Sequence, residues 1–217
     1  MSGPLVLLSG LRKRFGSRLV FSIDRLEIEE GGAYVLMGPN GSGKTTLLRV
    51  LAGLDDAEGE MRFRGRAVGA AEREALRRSI VYVHQHPYLF HTSLRHNLEY
   101  GLRCRRLPAA ERERRVEEAI AWAGLGAHRA TPPAQLSGGE KQRAALARVH
   151  ALQPDLMLLD EPTSNLDRDG QAQTLALLGR LRDERRTVIV ACHDQQIVDL
   201  PGLRRLQLED GRLSVLS

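Results

Sequence analysis

Gly38-Pro39-Asn40-Gly41-Ser42-Gly43-Lys44-Thr45 restricts this chain more than any other stretch. It fits G-x-x-x-x-G-K-[ST] and follows an apolar run, Ala33 to Met37. After it, Leu47, Leu48 and Leu51 recur at helical spacing before a stop at Gly53. A buried strand passing through such a loop into a helix is the sequence form of a phosphate cradle. Glycines let the backbone curl with several N–H groups turned inward and no Cβ in the way. The helix expected to begin at Lys44 adds the positive end of its dipole. Lys44 is expected to reach the β- and γ-phosphates of a nucleoside triphosphate, and the Thr45 hydroxyl to ligate Mg²⁺. Thr46 and Ser42 are expected to make secondary phosphate contacts.

Around this loop, short β-rich runs alternate with helical stretches, the pattern of an α/β fold. Leu5 to Leu8 and Val20 to Ile28 read as early strands, Ser79 to Val83, Leu156 to Leu159 and Thr187 to Ala191 as buried ones. Asp210-Gly211, between Arg204–Leu208 and Leu213–Leu216, is a hairpin signal. The character changes at about residues 91–137. Pro108 opens a helix whose Val116, Ala119, Ile120 and Ala123 share one face, and Gly124 and Gly126 close it. Thr131-Pro132-Pro133 is a turn. The expectation is one domain over residues 1–217 with a small helical subdomain inserted at about 91–137.

Composition narrows the function classes. At 217 residues, with 42% hydrophobic and 27% charged residues, the chain suits one compact domain. No apolar run approaches the ~20 residues that span a bilayer, and the N-terminal segment lacks a secretory pattern. A cytosolic protein is expected, with any membrane role exercised through a partner. The net charge of +5 would suit an anionic partner. However, the Arg residues interleave with Glu, as in Glu111-Arg112-Glu113-Arg114-Arg115, which reads as a solvated helix face and argues against nucleic acid. Cys104 and Cys192 show no metal spacing and are expected to be reduced and inert. His84, His86, His91 and His96 crowd around Gln85 without a ligand pattern and read as a polar loop.

Leu156-Met157-Leu158-Leu159 runs directly into Asp160-Glu161. A buried parallel strand that delivers two carboxylates at its end suits a crevice at the carboxyl edge of a sheet. Asp160 is placed to hold Mg²⁺ through its water shell, and Glu161 to polarise a water for in-line attack on the γ-phosphate. An unperturbed Glu is a weak base, so positioning outweighs proton removal.

Leu136-Ser137-Gly138-Gly139-Glu140, taken with the phosphate loop and Asp160-Glu161, closely resembles the signature of ABC (ATP-binding cassette) ATPases, and the likeness covers essentially the whole chain. The resemblance implies the ABC ATPase fold: a P-loop NTPase with a mostly parallel core sheet, an antiparallel β subdomain and a small helical subdomain. It also implies roles. Phe15 resembles the aromatic residue that stacks on adenine, and Gln85 the Q-loop glutamine that reaches Mg²⁺ or the attacking water. Ser164-Asn165-Leu166-Asp167 resembles the D-loop, and His193 the switch histidine that contacts the γ-phosphate. Ser137, Gly138 and Gly139 stand at a helix N-terminus, a second anion site on one chain. The family solution is a head-to-tail homodimer in which LSGGE of one copy closes over ATP held by the other. Tyr88-Leu89-Phe90 lies where the resemblance places the groove for a transmembrane permease.

Two departures stand out: Asn165 where a small Ala is frequent, and Glu140 where Gln is commoner. Both occur among family members serving importers, lipoprotein release and cell division. Arg148-Val149-His150 replaces the usual Arg-Ala-Leu. The leading expectation is the ATPase subunit of an importer for a small solute, peripheral on the cytoplasmic side of the membrane and linked indirectly to a solute-binding protein. At this length the expectation is a chain without the regulatory domain of sugar-importer ATPases. Overall likeness implies an oxyanion cargo such as tungstate or molybdate. The alternative is an ATP-driven mechanical regulator of a membrane partner, moving no solute.

Overall fold

The structure is a computed structural model that describes residues 3–216. Its chain divides into two compact units, the first taking in the chain up to Tyr82, Asp155–Glu161 and everything from Leu181 onward.

The first unit carries two sheets. One is antiparallel, ordered β2-β1-β4-β5, from β1 (Val6–Phe15), β2 (Arg18–Ile28), β4 (Glu58–Phe63) and β5 (Arg66–Ala67). Here β1 extends well beyond Leu8, the end expected from its apolar residues. It pairs with β2 on one side and β4 on the other, and this pairing holds the charged Arg12–Arg14 segment in strand form. The other sheet is ordered β10-β9-β3-β8-β7-β6. Its members are β3 (Ala33–Met37), β6 (Ile80–Val83), β7 (Leu156–Asp160), β8 (Val188–Ala191), β9 (Arg204–Glu209) and β10 (Arg212–Leu216). β3 runs parallel to β8 and β9, and β8 parallel to β7. Strands covered on both faces have continuous apolar sequences, and every residue of β7 and β8 is buried. Asp210 and Gly211 both adopt positive φ, 48° and 74°, the form of a two-residue hairpin turn between β9 and β10.

α1 (Lys44–Leu51) packs on this sheet with Leu47, Leu48 and Leu51 at 1% exposure or less. Burying each such side chain contributes about 1.5–3 kcal/mol. The first unit also holds α2 (Arg73–Ser79).

The second unit takes in residues 83–154 and 162–180. It is therefore wider than the 91–137 stretch. Its helices are α3 (Leu94–Cys104), α4 (Ala109–Trp122), α5 (Gly138–Leu152) and most of α6 (Arg168–Asp183). A short α7 (Gln195–Val198) belongs to the first unit. α3, α4 and α5 pack on one another through Leu94, Leu98, Leu102, Val116, Ile120 and a run of alanines in α5. Pro108 is the cap residue of α4, one position before the helix proper. On α4, Arg114 bridges Glu111 and Glu118, and Arg115 pairs with Glu111. Asn97 is fully buried in α3 yet satisfied: its amide donates to Phe90, Thr92 and Ser93 carbonyls, and its Oδ1 accepts from the Phe90 N–H at 2.7 Å.

Candidate active site

Positive-φ glycines shape the loop from β3 to α1. Gly38 lies at φ 150°, and a Cβ there would stand 2.1 Å from the Leu208 carbonyl oxygen. At Gly43, φ 104°, a Cβ would meet Val20 Cγ1 at 2.7 Å. Backbone occupies the room a side chain would need, so only glycine fits at Gly38. Lys44 is 6% exposed, and its Nζ folds back to donate to the carbonyls of Gly38 (2.8 Å) and Pro39 (3.3 Å). Pro39, Asn40, Gly41 and Thr45 are exposed, Thr46 half-buried. Ser42 Oγ is buried without a hydrogen-bond partner.

In the sheet, β8 lies between β3 and β7, and the three are parallel. Their carboxyl ends therefore lie side by side, bringing together the loop after β3, Asp160-Glu161 at the end of β7 and His193 just past β8. Asp160 is 3% exposed. Its Oδ2 accepts from the Tyr82 hydroxyl at 2.8 Å, whereas Oδ1 is buried with no partner. Glu161 turns sharply: its φ is 47°, in the left-handed region, and its N–H donates to the Ala191 carbonyl at 2.8 Å. Successive side chains thus leave the strand end in different directions. The Glu161 carboxylate meets His193 Nδ1 at 2.9 Å; the Glu161 side chain is 13% exposed and that of His193 63%. Beside them, burial pushes the Cys192 thiol up to about 12, keeping it a neutral thiol.

An unsatisfied buried acceptor is costly, and such atoms recur here at the residues that the sequence assigns to phosphate and metal. Ser42 Oγ and Asp160 Oδ1 lack partners, and the glycine loop is kept clear of Cβ atoms. These residues suit a magnesium nucleotide.

Phe15 ends β1 at the hairpin tip, 57% exposed, with Lys13 Nζ 4.9 Å from its ring centroid. The remaining candidates belong to the second unit. Gln85 is half-buried in the loop after β6. Ser137 caps α5 in a closed capping box: Ser137 Oγ accepts from the Glu140 N–H at 3.2 Å, and Glu140 Oε2 from the Ser137 N–H at 2.7 Å. That backbone bond, with His128 and Arg143 nearby, holds the Glu140 carboxyl below its ordinary range. Leu136 is buried, Ser137 and Gly138 are exposed. A Cβ on Gly139 would stand 3.0 Å from Gly170 Cα, so α5 and α6 approach backbone to backbone there. Asp167 caps α6, its Oδ1 accepting from the Gly170 N–H at 2.8 Å. Ser164 and Leu166 are half-buried, and Asn165 is exposed at φ 59°. Asn tolerates that left-handed well better than most residues, which accounts for the departure from Ala.

Tyr88 is 65% exposed, Leu89 buried and Phe90 half-buried. Phe90 packs edge-on to Tyr88, with ring centroids 5.6 Å apart, and at 4.6 Å against Tyr100. Phe90, His96, Glu99, Tyr100, Arg103 and Cys104 line a cleft of about 590 Å³. Sequence reasoning missed Tyr100 and Tyr82. It also left Arg148-Val149-His150 without a meaning. Val149 is buried, Arg148 donates to the Tyr88 carbonyl at 3.0 Å, and His150 stacks on Trp122 with centroids 4.3 Å apart. The triplet serves packing and loop anchoring. For Tyr82 the available signal was a hydroxylated ring inside the apolar run Ile80-Val81-Tyr82-Val83.

A strand, glycine loop and helix beside a carboxylate-ended strand define the P-loop nucleotide-binding class. The family profile described as ABC transporter matches residues 22–164, and the chain belongs to that family. The sulfate/thiosulfate import ATP-binding protein CysA of Synechocystis sp. is 38% identical over 194 residues, 88% of this chain and 54% of its own length. The protein of that name from Gloeobacter violaceus is 39% identical, covering 88% of this chain and 56% of its own. The chain therefore spans about half the length of the curated relatives it matches. Among solved structures, cbiO1 from Clostridium perfringens, part of the ABC transporter complex cbiONQ, superposes with TM-score 0.88 at 28% identity, over 98% of this chain and 87% of that one. The ATP-binding cassette MJ0796, in a dimeric post-hydrolysis state bound to ADP and Pi, gives 0.84 at 31% identity, over 98% and 99%. The fold is that of an ABC ATPase cassette.

Proposed function

We propose that this chain is the ATP-hydrolysing motor subunit of a membrane importer for a small oxyanion, working as an ATP-sandwich homodimer on the cytoplasmic side of the membrane. The observation that carries it is the meeting of the Gly38–Thr45 loop, Asp160, Glu161 and His193 along one sheet edge. Loop N–H groups and the Lys44 ammonium hold the β- and γ-phosphates, with Phe15 stacked on adenine. Glu161, steadied by His193, orients a water in line with the γ-phosphorus. The water oxygen bonds to phosphorus as the bond to the β-phosphate oxygen breaks, leaving ADP, phosphate and a proton. Thr45 and Asp160 are the first-unit residues that would hold Mg²⁺, which when bound would neutralise charge building on the phosphate oxygens.

Ser137 remains available while capping its helix. Its oxygen accepts from the Glu140 N–H, and the residue is exposed, so its hydroxyl can rotate to donate to a γ-phosphate on a second copy. Nucleotide then bridges two copies, and hydrolysis removes the contact that favours closure. The dimeric state of the structural neighbour supports this arrangement. The aromatic cleft at Tyr88, Phe90 and Tyr100 is the proposed permease contact, with a solute-binding protein acting beyond it. Relatives named for sulfate and thiosulfate import support a tetrahedral oxyanion as cargo. Asn165 lends no weight to a purely mechanical regulator, because its backbone conformation already accounts for it.

The test is capture from detergent-solubilised host membranes with tagged Glu161→Gln protein and ATP. Stoichiometric recovery of a multi-spanning permease, followed by oxyanion-dependent ATPase activity of that permease reconstituted with the parent protein, is the expected result. A partner with few spans and a large extracytoplasmic domain would overturn the importer reading while leaving the ATPase reading intact.

A further inference from the structure

Tyr82 places a phenol in β6 against the first unit's core. Phenylalanine would fill the same apolar place. The hydroxyl is the surplus, and its proton goes to Asp160 Oδ2 at 2.8 Å. An ionised carboxylate can only accept, so the phenol is the donor in this bond. The torsion that orients a carboxylate is soft and roughly two-fold. A hydrogen bond to one oxygen removes that freedom and settles which oxygen is left over. Here the remaining oxygen, Asp160 Oδ1, is buried with no partner.

We infer that Tyr82 is a positioning residue for the divalent cation of the bound nucleotide: its hydroxyl ties up one oxygen of Asp160 and keeps the other free for the metal's water shell. This rests on the reading of the site as one for magnesium nucleotide. Nothing in the phosphate-loop, signature or switch motifs assigns Tyr82 a role, and it touches neither water nor phosphate in that scheme. It acts through Asp160 alone. Partners that orient a metal-site carboxylate commonly matter about 10-fold or more to metal affinity.

The experiment compares Tyr82→Phe with the parent protein by titrating ATP with and without Mg²⁺, and Mg²⁺ at fixed ATP, following a fluorescent nucleotide. The expected result is unchanged metal-free ATP affinity, a Mg²⁺ requirement raised roughly 10-fold, and a melting temperature close to the parent's. In an Asp160→Asn background, Tyr82→Phe should add nothing further, because a residue acting through Asp160 has nothing left to act on. Equal Mg²⁺ titrations for Tyr82→Phe and parent would overturn the inference with the site reading untouched. So would a parallel loss of metal-free binding, which marks a structural role only. A parent protein that binds ATP without any Mg²⁺ effect would instead remove the metal reading on which the inference stands.

Discussion

His193 Nδ1 straddles the Glu161 carboxylate, 3.0 Å from Oε1 and 2.9 Å from Oε2. An ionised carboxylate only accepts, so the proton of a neutral imidazole sits on Nδ1 and Nε2 presents its lone pair. The imidazole thereby fixes the carboxylate to which the proposed function gives the aiming of a water. Most of the His193 ring remains exposed, so its Nδ1–H can turn from the carboxylate to a phosphate oxygen once nucleotide is present.

From this pairing, Glu161→Gln should lower kcat by at least ~10²-fold, as for loss of an acid–base group, while the Kd for ATP stays within a few-fold. His193→Ala should also lower kcat with little effect on Kd. Steady-state ATPase assays beside equilibrium nucleotide binding measure both. Near-parental turnover in Glu161→Gln would remove Glu161 from its role.

The loop glycines should differ sharply in their tolerance of a methyl group. Gly38→Ala drives a Cβ to 2.1 Å from the Leu208 carbonyl, whereas Gly41→Ala meets nothing within 4 Å at φ 79°. The second carries only left-handed strain, about 1–2 kcal/mol, or a few degrees in Tm for a chain this size. Gly38→Ala should cost more than that in a thermal melt and abolish ATP binding.

The capping box makes an acid-pH prediction. The Glu140 carboxyl is depressed, chiefly by the Ser137 N–H, so its contribution is present above the unfolded Glu value of about 4.3 and fades as pH falls through the lower folded value. Glu140→Gln can still close the box. It should fall somewhat short of the parent near neutrality, meet it in acid, and lack the decline of Tm below about pH 4.3. Ser137→Ala should cost about 1 kcal/mol at neutral pH. Ser137→Arg should leave ATP binding by the monomer intact and prevent ATP-dependent dimers in gel filtration of a Glu161→Gln background.

Arg148 tests the proposed permease contact. Its guanidinium, whose pKa burial lowers, donates to the Tyr88 carbonyl. Arg148→Met keeps most of the aliphatic volume and releases that carbonyl. Basal ATPase activity should be retained within two-fold or so, with a stability loss of about 1 kcal/mol, while co-purification with the permease drops. Unchanged co-purification would place the contact elsewhere.

Legibility in the sequence followed how locally each element is determined. β3 and α1 were readable to the residue, because an apolar run, a glycine loop and helical spacing all act over neighbouring positions. The turn at Asp210-Gly211 was readable for the same reason. By contrast β4, Glu-Gly-Glu-Met-Arg-Phe, has no apolar alternation strong enough to announce a strand, and its partner β1 lies some fifty residues upstream. α3 hid behind Asn97, a polar residue at a core position whose satisfaction depends on the turn at residues 90–93. Within the site, motif order named the loop, carboxylates and histidine. The bonds from Tyr82 to Asp160 and from Arg148 to Tyr88 join residues 78 and 60 positions apart and needed the fold to be seen.

The left-handed backbone at Glu161 has an evolutionary consequence. A long acidic residue is an uncomfortable tenant of that conformation, and Asn would occupy it with less strain. Selection for a sturdier fold alone would therefore pull this position away from Glu. Its persistence in a lineage would record continuing use of ATP turnover, and a drift to Asn would be an early mark of a cassette that has stopped working as a motor and kept only its shape.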